Sequence, residues 1–432
     1  MSIATGETAA PGSPPPGLSR LRAIPLAIGS VAGSGMLVLP SAVYAEACNN
    51  NLLVWLAATG LCLPMLLMFA DIVRAQPDGN SIESCITAGL GATLGRCVPV
   101  MFVCLVSVGL PAGAMVAGRY VSQALGANHA VQIVIAAGVL LAALAVNLAG
   151  ARANTAVQLA GATALVLTAL VLICSSIPAL GGGAPAIIPD FTDLGAVLPG
   201  VVLAFWAFAG FENLTFLSRQ FRAPERDFLP VSSTALGVYG VLTAALTAAL
   251  ALRVPRVAVD ETAGLLQLAE HAPARTLVIS LVTAIAVAAM VLNAVSWIWG
   301  VGQLVVTAGR TANLPARLAA RSPRGVPRYA IGLLAALFSV STAVLAVVPG
   351  LLVDALAAAS ATFIVLYLLC IVSYTRMRGL TWRSAANLLV LVVLVASLLD
   401  SGWRSLYGLL ALGVALAVQG AQSRARAVQK NV

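Results

Sequence analysis

Twelve apolar runs, each long enough to cross a bilayer as a helix, dominate this sequence and leave only short polar stretches between them. A helix needs about 20 predominantly apolar residues to span the hydrocarbon core of a membrane. The predicted spans are 24–45, 52–73, 97–123, 130–149, 155–177, 196–217, 230–252, 275–305, 329–348, 351–374, 382–399 and 403–420. The pattern predicts an all-α polytopic membrane protein with 12 transmembrane helices.

The composition excludes a water-soluble globular protein. Hydrophobic residues make up 60% of the 432 residues, charged residues make up 9%, and the mean hydropathy is +0.99. A soluble domain is about a quarter charged, so the lipid bilayer must solvate most of this surface. The formal net charge of +9 does not indicate nucleic acid as a partner, because the arginines lie between apolar runs and form no stripe.

The arginines indicate how the chain is oriented. With the N-terminus in the cytoplasm, 19 of the 24 Lys and Arg residues fall in cytoplasmic segments, as the positive-inside rule requires. We therefore expect both termini to be cytoplasmic, with a disordered, Pro-rich tail at 1–23 and a second tail at 421–432. No loop is long enough for a soluble domain, and 79–92 is predicted to form a short amphipathic helix.

Two of the twelve runs carry features that interrupt a helix. The first has Gly29, Gly33 and Gly35 near its centre, and each glycine weakens a helix by ~1 kcal/mol relative to alanine. The sixth has Gly210 at its centre, two residues before the ionisable Glu212. Non-helical backbone at membrane depth is tolerated only where it lines a cavity or is buried in protein. Paired breaks of this kind mark the substrate site of inverted-repeat transporters.

The separation of the two breaks, near residues 34 and 210, equals five predicted helices. This predicts one repeat at 24–178, a second at 196–376, and two appended helices at 382–420. The alternative for a single run is close helix packing through Gly29-xxx-Gly33.

The chemistry of such breaks suits a zwitterion. Where a helix restarts, free N–H groups and the helix dipole attract a carboxylate. Gly33, Ser34 and Gly35 would let a ligand approach that backbone closely. Carbonyls released where the first half-helix ends, and around Trp206 to Gly210, would suit an ammonium group. An amino acid backbone satisfies both sets.

The residues expected to line this cavity are apolar or aromatic. They are Val31, Phe205, Trp206, Phe208 and Trp297. No second intramembrane acid pairs with Glu212 to receive a cationic side chain, so a neutral hydrophobic amino acid is expected. Asn293 lies one turn from Trp297 and either reaches the cavity or bonds between helices.

Three other polar features leave their role open. Glu212 either couples or gates transport through its charge, or accepts structural hydrogen bonds. Arg119 either extends to the outer interface or gates an outer vestibule. The charged loop 222–227 (RAPERD) is either a topological anchor or part of an inner gate.

Three motifs resemble those of the amino acid–polyamine–organocation (APC) superfamily. They are GSVAGSGMLVLP in the first run, FWAFAGFENLTFLSRQFRAPERDFLP in and after the sixth, and GQLVVTAGRTANLP after the eighth. Ala223 stands where asparagine is usual. The resemblance implies a LeuT-type five-plus-five inverted repeat in a bacterial inner membrane. PERDF and GWRSLYGLL also resemble the bacterial exporters of L-methionine and branched-chain amino acids, which implies methionine, leucine, isoleucine and valine as substrates.

The resemblance also implies roles for individual residues. The carboxylate-binding segment corresponds to Ser30, Val31, Gly33, Ser34 and Gly35, and the carbonyl-donating break corresponds to Ala209 and Gly210. Trp206 matches an aromatic residue that closes over the substrate, and Trp297 matches a second aromatic residue of the cavity. Glu212 matches a buried acid. Unlike in some relatives, no lysine lies in the fifth run, and we expect proton coupling, with sodium left open.

The alternatives to an exporter are an uptake permease of the same fold, a channel and a membrane-embedded enzyme. An enzyme would need several convergent ionisable groups inside the helices, and Glu212 has no such companion. The chain is therefore predicted not to be an enzyme and to use no cofactor. No acidic cluster indicates a metal. The sequence leaves a monomer and a homodimer equally open.

Overall fold

The computed structural model describes most of the chain. The described residues are 17–31, 34–75, 81–177, 188–192, 194–195, 197–208, 210, 214–215, 218, 221–311, 313–323, 325–400 and 402–430. Within them the chain is helical, apart from turns and one β-bridge between Leu18 and Phe221.

Sixteen α-helices follow one another in the described part. In chain order they are α1 Arg20–Val31, α2 Ser34–Ala47, α3 Asn51–Ala75, α4 Ser81–Leu90, α5 Ala92–Gly95, α6 Val98–Ala124, α7 His129–Ala149, α8 Ala151–Ser176, α9 Val197–Phe208, α10 Pro224–Arg253, α11 Gly264–Glu270, α12 Arg275–Arg310, α13 Arg328–Val347, α14 Leu352–Arg378, α15 Trp382–Asp400 and α16 Leu406–Lys430. Every predicted span overlaps at least one of them.

Eight helical stretches of the described chain are long and apolar enough to cross a membrane. They are Asn51–Ala75, Ala92–Ala124, His129–Ala149, Pro224–Arg253, Arg275–Arg310, Arg328–Val347, Pro349–Arg378 and Leu406–Arg424. Three further apolar helices are shorter, at Gly35–Ala47, Ala160–Ser176 and Trp382–Ala396. The all-helical membrane architecture is confirmed, while the count of 12 spans stays a prediction.

Several helices extend beyond their predicted ends; three cases follow. The first helix begins at Arg20, inside the stretch predicted as a tail, whose residues 1–16 lie outside the described part. The eighth predicted span continues to Arg310, and α16 continues to Lys430 instead of stopping at residue 420. The apolar pattern marks where a helix can lie in lipid, but a helix can continue into polar sequence beyond the membrane. The predicted short helix at 79–92 is present as α4.

The helices pack in two groups. Helices α1, α2, α3, α9 and α10 form the first, since α3 contacts α9 and α10, α2 contacts α9, and α1 contacts α10. The second group is α6, α7, α12 and α13, which contact one another. Helix α8 packs between the groups, against α1, α10 and α12, and α14 packs against α4 and α6. The broken helices therefore belong to one group and face the other.

Polar side chains join helices across the apolar interior. The Trp55 indole N–H donates to Thr247 Oγ1 at 2.8 Å, joining α3 to α10. Asn147 Nδ2 donates to the Val295 carbonyl at 3.1 Å, joining α7 to α12. Asn387 Nδ2 donates to the Pro64 carbonyl at 3.0 Å, joining α15 to α3. Since apolar contact alone gives little driving force between helices in lipid, such bonds help to fix each group.

Candidate functional site

The first predicted run is divided into two helices. Helix α1 ends at Val31 and α2 begins at Ser34, with residues 32 and 33 outside the described part. The interruption predicted near residue 34 falls on these two residues and stays a prediction. Where a helix starts afresh, the N–H groups of its first turn have no partner within their own helix, and the dipole makes that end positive. Such a start at α2 would be a backbone site suited to an anion.

The sixth predicted run is also interrupted. Helix α9 ends at Phe208. The buried Gly210 has a φ of 125°, a backbone conformation that residues other than glycine rarely adopt. The Gly210 N–H donates to the Tyr367 hydroxyl of α14 at 3.2 Å. A Cβ on Gly210 would lie 3.4 Å from Trp297 Cζ2 of α12. The second break thus lies against α12 and α14.

The two broken helices lie against each other. A Cβ added to Gly35, the second residue of α2, would lie 3.1 Å from Ala207 Cα of α9. It would also lie 3.2 Å from the hydroxyl oxygen of Tyr239, which belongs to α10. The absence of a side chain at Gly35 therefore lets the start of α2 approach the end of α9. This brings the predicted carboxylate-binding and carbonyl-donating segments together.

Aromatic side chains surround the second break. The Trp297 ring lies 5.4 Å from that of Phe363 and 6.1 Å from that of Phe102. The Tyr367 ring stacks on Phe363 at 6.0 Å and meets Phe205 edge-on at 6.5 Å. Four helices, α6, α9, α12 and α14, contribute to this cluster, and tilted or edge-on pairs at these separations are favourable. The cluster is an apolar, aromatic wall beside the break.

A second aromatic group lies behind the end of α9. The Phe208 ring meets Tyr239 edge-on at 5.6 Å and Trp55 edge-on at 6.1 Å. All three side chains are fully buried. This group fixes the end of α9 against α3 and α10. Phe208, predicted to line the cavity, packs into this group.

The structure places five predicted site residues at or near the predicted breaks. Of the other predicted site residues, some are described only in their backbone and some are not described. Val31, Gly35, Phe205, Gly210 and Trp297 lie at or beside the breaks, and Asn293 lies one turn before Trp297 on α12. Ser30, Ser34 and Trp206 lie on helices at the breaks, but their side chains lie outside the description. Gly33, Ala209 and Glu212 lie outside the described residues, so their predicted roles stay predictions.

Four aromatic residues at the site were not predicted from the sequence. They are Phe102, Tyr239, Phe363 and Tyr367. Each lies in a run that is apolar on all sides, so nothing in the run indicates which face of the helix meets the breaks. A tyrosine in the middle of an apolar run was the available signal, since its hydroxyl needs a partner when buried.

The segment 254–274 covers one end of the bundle and forms hydrogen bonds with α2. The Tyr44 hydroxyl donates to the Val254 carbonyl at 3.0 Å, and Ser41 Oγ donates to the Glu261 carbonyl at 3.3 Å. Arg256 Nε donates to the Ala45 carbonyl at 2.8 Å. The Tyr120 hydroxyl of α6 also donates to α2, at the Leu37 carbonyl, over 2.7 Å. These contacts close this end of the bundle over α2.

An ion pair joins the covering segment to α6. Arg119 Nη2 lies 3.7 Å from Asp260 Oδ2, and Gln123 Nε2 donates to the same oxygen at 3.4 Å. Burial works to raise the pKa of Asp260, but hydrogen bonds from Thr262 and Ala263 and the charge of Arg119 outweigh it. The pKa of Asp260 is therefore held below its ordinary value. Both predicted roles of Arg119 stay open, and the contact shows only that its side chain pairs with the covering segment.

Charged residues hold the opposite end of the bundle. Arg20 Nε of α1 lies 2.5 Å from Asp227 Oδ1 of α10, and the Arg222 N–H donates to the Leu18 carbonyl at 3.0 Å. Arg74 Nε of α3 donates to the Glu225 carbonyl at 3.3 Å. The loop 222–227 thus takes part in a network with the starts of α1 and α10, and its two interpretations, anchor and inner gate, stay open.

A second network at that end joins α3, α14 and α15. Arg383 Nη1 contacts both carboxylate oxygens of Asp71, at 2.7 and 2.8 Å. The Tyr374 hydroxyl donates to Asp71 Oδ2 at 2.7 Å, and Arg74 lies 3.7 Å from Oδ1. One carboxylate therefore fixes the ends of three helices. Among the residues that the structure describes, no group of three or more His, Cys, Asp and Glu could hold a metal ion.

Comparison with known proteins gives a family match over most of the chain. A family model described as amino acid permease matches residues 18–404. The chain is 27% identical over 202 residues to the L-methionine/branched-chain amino acid exporter YjeH of Escherichia coli (strain K12), covering 46% of this chain and 47% of that protein. It is 26% identical over 226 residues to the uncharacterized amino acid permease YecA of Bacillus subtilis (strain 168), covering 50% and 52%. The chain thus spans about half the length of the curated relatives it matches.

The fold is shared with a solved structure. The crystal structure of MhsT in complex with L-phenylalanine aligns with 95% of this chain and 99% of that chain. The TM-score is 0.64 at 17% sequence identity. A likeness at this identity establishes the fold and leaves the substrate to be argued from the site.

Proposed function

The chain belongs to the amino acid permease family, and from this premise we propose that it is a secondary active exporter of neutral hydrophobic amino acids driven by proton entry. The predicted resemblance to the APC superfamily is confirmed by the family match. The family consists of multi-pass membrane transporters, so the chain is a transporter and not an enzyme. The substrates, the direction and the coupling ion are proposals.

The observation that carries the proposal is the close approach of α2 and α9 at the two predicted breaks. A Cβ on Gly35, in the first turn of α2, would lie 3.1 Å from Ala207 Cα, one residue before α9 ends. An amino acid placed there could give its carboxylate to the start of α2. Its ammonium group could face the carbonyls where α1 and α9 end.

The aromatic cluster supports a hydrophobic substrate side chain. Phe205, Trp297, Phe363 and Tyr367 present rings next to the break at Gly210, and the printed ring pairs place them 5.4–6.5 Å apart. The E. coli relative is an exporter of L-methionine and branched-chain amino acids. We therefore propose methionine, leucine, isoleucine and valine as substrates of this chain.

Alternating access would arise from movement of one helix group against the other. The group with the breaks (α1, α2, α3, α9, α10) contacts the other group through α1 and α2 against α12 and through α2 against α6. Ionic contacts close one end of the bundle, and the segment 254–274 closes the other. We propose 12 spans arranged as repeats at 24–178 and 196–376 with appended helices at 382–420, in which the two ends open in turn.

Glu212 is proposed as the coupling or gating acid, since it follows the break in α9 within the apolar run. The proposal needs no cofactor. We place the protein in a bacterial inner membrane with both termini in the cytoplasm, because arginines crowd the loops at that end. The transporting unit is proposed to be one chain, whether or not two chains associate.

Reconstituted transport tests the proposal. Proteoliposomes would be loaded with labelled L-methionine or L-leucine, and efflux would be followed with and without a higher external proton concentration. We expect external protons to accelerate efflux, Trp206→Ala to slow it, and Glu212→Gln to remove its dependence on the proton gradient. Gly237→Ala is the matched control, since an added Cβ there meets open space on α10.

Three other outcomes are informative. Flux that favours accumulation with inward protons would make the chain an uptake permease. Flux that keeps its proton dependence in Glu212→Gln would assign Glu212 a structural role. No flux of either amino acid in protein that is folded and inserted would overturn the proposed substrate class.

A further inference from the structure

The segment that joins α12 to α13 is strongly basic. Residues 310–328 contain five arginines and no Asp or Glu. Arg310 is the last residue of α12 and Arg328 is the first of α13, and both helices are long and apolar enough to cross a membrane. This stretch, called the basic segment below, therefore lies where the membrane-crossing part of the bundle ends.

The arginines of the basic segment have no acidic partner in the structure. Four of them are described, and all four are exposed: Arg310, Arg317, Arg321 and Arg328. Among the residues that the structure describes, no carboxylate forms an ion pair with any of the four. Arginines elsewhere in the bundle do have such partners, as Arg20 and Arg383 show. The described part of the chain therefore supplies no counter-charge to the basic segment.

Hydrogen bonds hold the basic segment in a fixed shape. Arg321 Nη2 donates to Gln303 Oε1 of α12 at 2.6 Å, and Arg321 Nη1 donates to the Gly325 carbonyl at 2.8 Å. The Ser322 N–H donates to the Val326 carbonyl at 2.8 Å, which closes a turn around this arginine. The Arg321 guanidinium is therefore fixed against the end of α12 and cannot move away from the other charges there.

Charges of the same sign lie close together in the basic segment. Partial burial lowers the pKa of Arg321, and the positive charge of Arg310 lowers it further. Gln419 Nε2 of α16 donates to the carbonyls of Arg96 and Asn313, at 3.0 and 3.2 Å, so the backbone of one more arginine lies beside the segment. Repulsion between like charges opposes the compact fold, and an anion bound between them offsets it.

The position of the basic segment indicates which anion it meets. Arginines at the end of a membrane-crossing helix lie at the level of the lipid headgroups. Tyr329, next to Arg328 in the first turn of α13, is 60% exposed, and exposed tyrosines are typical of this level. A lipid phosphate accepts paired hydrogen bonds from the planar guanidinium group. A headgroup with a net negative charge fits best, because a zwitterionic headgroup brings a cation that the arginines repel.

We propose that the arginines of the basic segment bind the headgroup of an anionic phospholipid. The bound lipid ties α12 and α13, which belong to the second helix group, to one leaflet of the membrane. Since α12 also carries Trp297, the lipid holds one wall of the site in place. The inference goes beyond the proposed function and does not depend on the substrate, the direction of transport or the coupling ion.

The test is calorimetric titration of the full-length protein in a neutral detergent with dioctanoyl phosphatidylglycerol. Dioctanoyl phosphatidylcholine has the same chains without the net charge, and glycerol phosphate has the charge without the chains. We expect phosphatidylglycerol to bind more tightly than either. In Arg310→Gln/Arg328→Gln its affinity should fall about tenfold or more, since each arginine near a membrane surface contributes a factor of about five.

The melting temperature separates a binding role from a structural one. Without lipid, Arg310→Gln/Arg328→Gln should melt at or above the wild-type temperature, because the substitution removes a charge that repels Arg321. If this variant is not recovered as folded protein, Arg317→Gln repeats the titration. Arg317 is exposed on the short helix Ala316–Ala319, and its loss should weaken phosphatidylglycerol binding about fivefold.

Arg376→Gln/Arg378→Gln is the matched control. Both residues are exposed in the last turn of α14, so the variant also removes two charges at the end of a membrane-crossing helix. Arg378 lines a cavity together with Asp71, so an acidic group of the protein lies close to these charges. We expect the phosphatidylglycerol affinity of this control to stay within about threefold of the wild-type value.

Each outcome supports or overturns the lipid site. A loss of phosphatidylglycerol affinity confined to the variants of the basic segment, in protein that melts normally, would support it. Unchanged affinity in those variants, an equal loss in the α14 control, or no binding by the wild-type protein would overturn it. Glycerol phosphate that binds as tightly as phosphatidylglycerol would make the segment a site for soluble anions. None of these results changes the proposed amino acid transport, which is measured with L-leucine and L-methionine.

Discussion

The two helix breaks each have a tyrosine beside them, and the two hydroxyls are used differently. At the second break, the Tyr367 hydroxyl accepts the Gly210 N–H at 3.2 Å. At the first break, the Tyr239 hydroxyl lies next to Gly35 with no partner among the described residues. The protein thus satisfies the backbone of one break with its own side chain and leaves a donor free at the other.

The backbone at each break explains this difference. Gly210 leaves the helix with a φ of 125° and has a buried N–H that needs an acceptor at all times. A helix that starts afresh, as predicted for α2, presents several donors on a positive end, which a ligand can satisfy when it binds. We infer that the second break is a fixed structural feature and that the predicted first break is the ligand-binding feature.

Gly210→Ala should give the largest effect and tests whether the second break is fixed. A Cβ at this φ strains the backbone, and it would also lie 3.4 Å from Trp297 Cζ2. We expect stability to fall by about 3 kcal/mol, at the upper end for a strained residue, and transport of L-leucine to be lost. Melting in detergent and flux in proteoliposomes measure the two effects. A variant as stable as Gly237→Ala would show that the observed backbone at Gly210 is not required.

Gly35→Ala should give the next largest effect, at the first break. Its Cβ would lie 3.1 Å from Ala207 Cα, which is backbone and cannot move away as a flexible side chain can. We expect a loss of about 2 kcal/mol, as is typical of overpacking, together with weaker L-leucine binding. Gly60→Ala on α3, where a Cβ meets nothing within 4 Å, is the control for both the stability and the L-leucine affinity. Normal L-leucine affinity in Gly35→Ala would argue against a ligand at this break.

Tyr367→Phe compares the two tyrosines directly. It leaves the buried Gly210 N–H without this acceptor, and we expect stability without ligand to fall by about 1 kcal/mol. Tyr239→Phe should show no such fall. Melting of both ligand-free variants measures the contrast, with Tyr407→Phe as a control whose hydroxyl bonds to Cys104 away from the breaks. Equal destabilisation by the two substitutions would remove the distinction between the breaks.

Asp260→Asn should give the smallest effect and shows whether the effects above are local to the breaks. The Arg119–Asp260 pair is partly exposed, so its contribution is below about 1 kcal/mol. Because the pKa of Asp260 is lowered in the folded protein, the carboxylate stabilises the fold above its ordinary pKa of about 3.9, and this stabilisation is lost as the pH falls through the lowered value.

The melting temperatures of wild type and Asp260→Asn should therefore differ at pH 7 and converge below about pH 4. L-leucine affinity should not change. Glu261→Gln, at an exposed carboxylate next to Asp260, is the control. A difference that persists unchanged in acid would mean that the charge of Asp260 contributes nothing to the closed end.

The sequence predicted the second break better than its surroundings. Gly210, before Glu212 in the sixth run, marked the interruption because glycine weakens helices regardless of tertiary context, and the three glycines of the first run predict the other break on the same ground. The tyrosines beside the breaks, Tyr239 and Tyr367, lie on α10 and α14. Each is more than 150 residues in sequence from the break that it adjoins, within a run that is apolar on all sides. Nothing in such a run tells which side of the helix faces a neighbour, so Tyr239 and Tyr367 were missed.

Charged contacts show the same limit. The pairing of Asp71 with Arg74 could be predicted because residues three apart share a helix face. The stronger contact of Asp71 with Arg383 joins residues 312 apart in sequence, and the Arg119–Asp260 pair also depends on how a loop folds over a distant helix. Local spacing predicts local contacts, whereas these depend on the packing of the whole bundle.

The most direct test of the site at the two breaks is calorimetric titration of the wild-type protein with L-leucine and with L-leucinamide. The two ligands share the side chain and the ammonium group and differ in the carboxylate. If the start of α2 binds the carboxylate, L-leucine should bind at least about a hundredfold more tightly, as expected for several charge-assisted hydrogen bonds. Equal affinity for the two would contradict a carboxylate site at the first break.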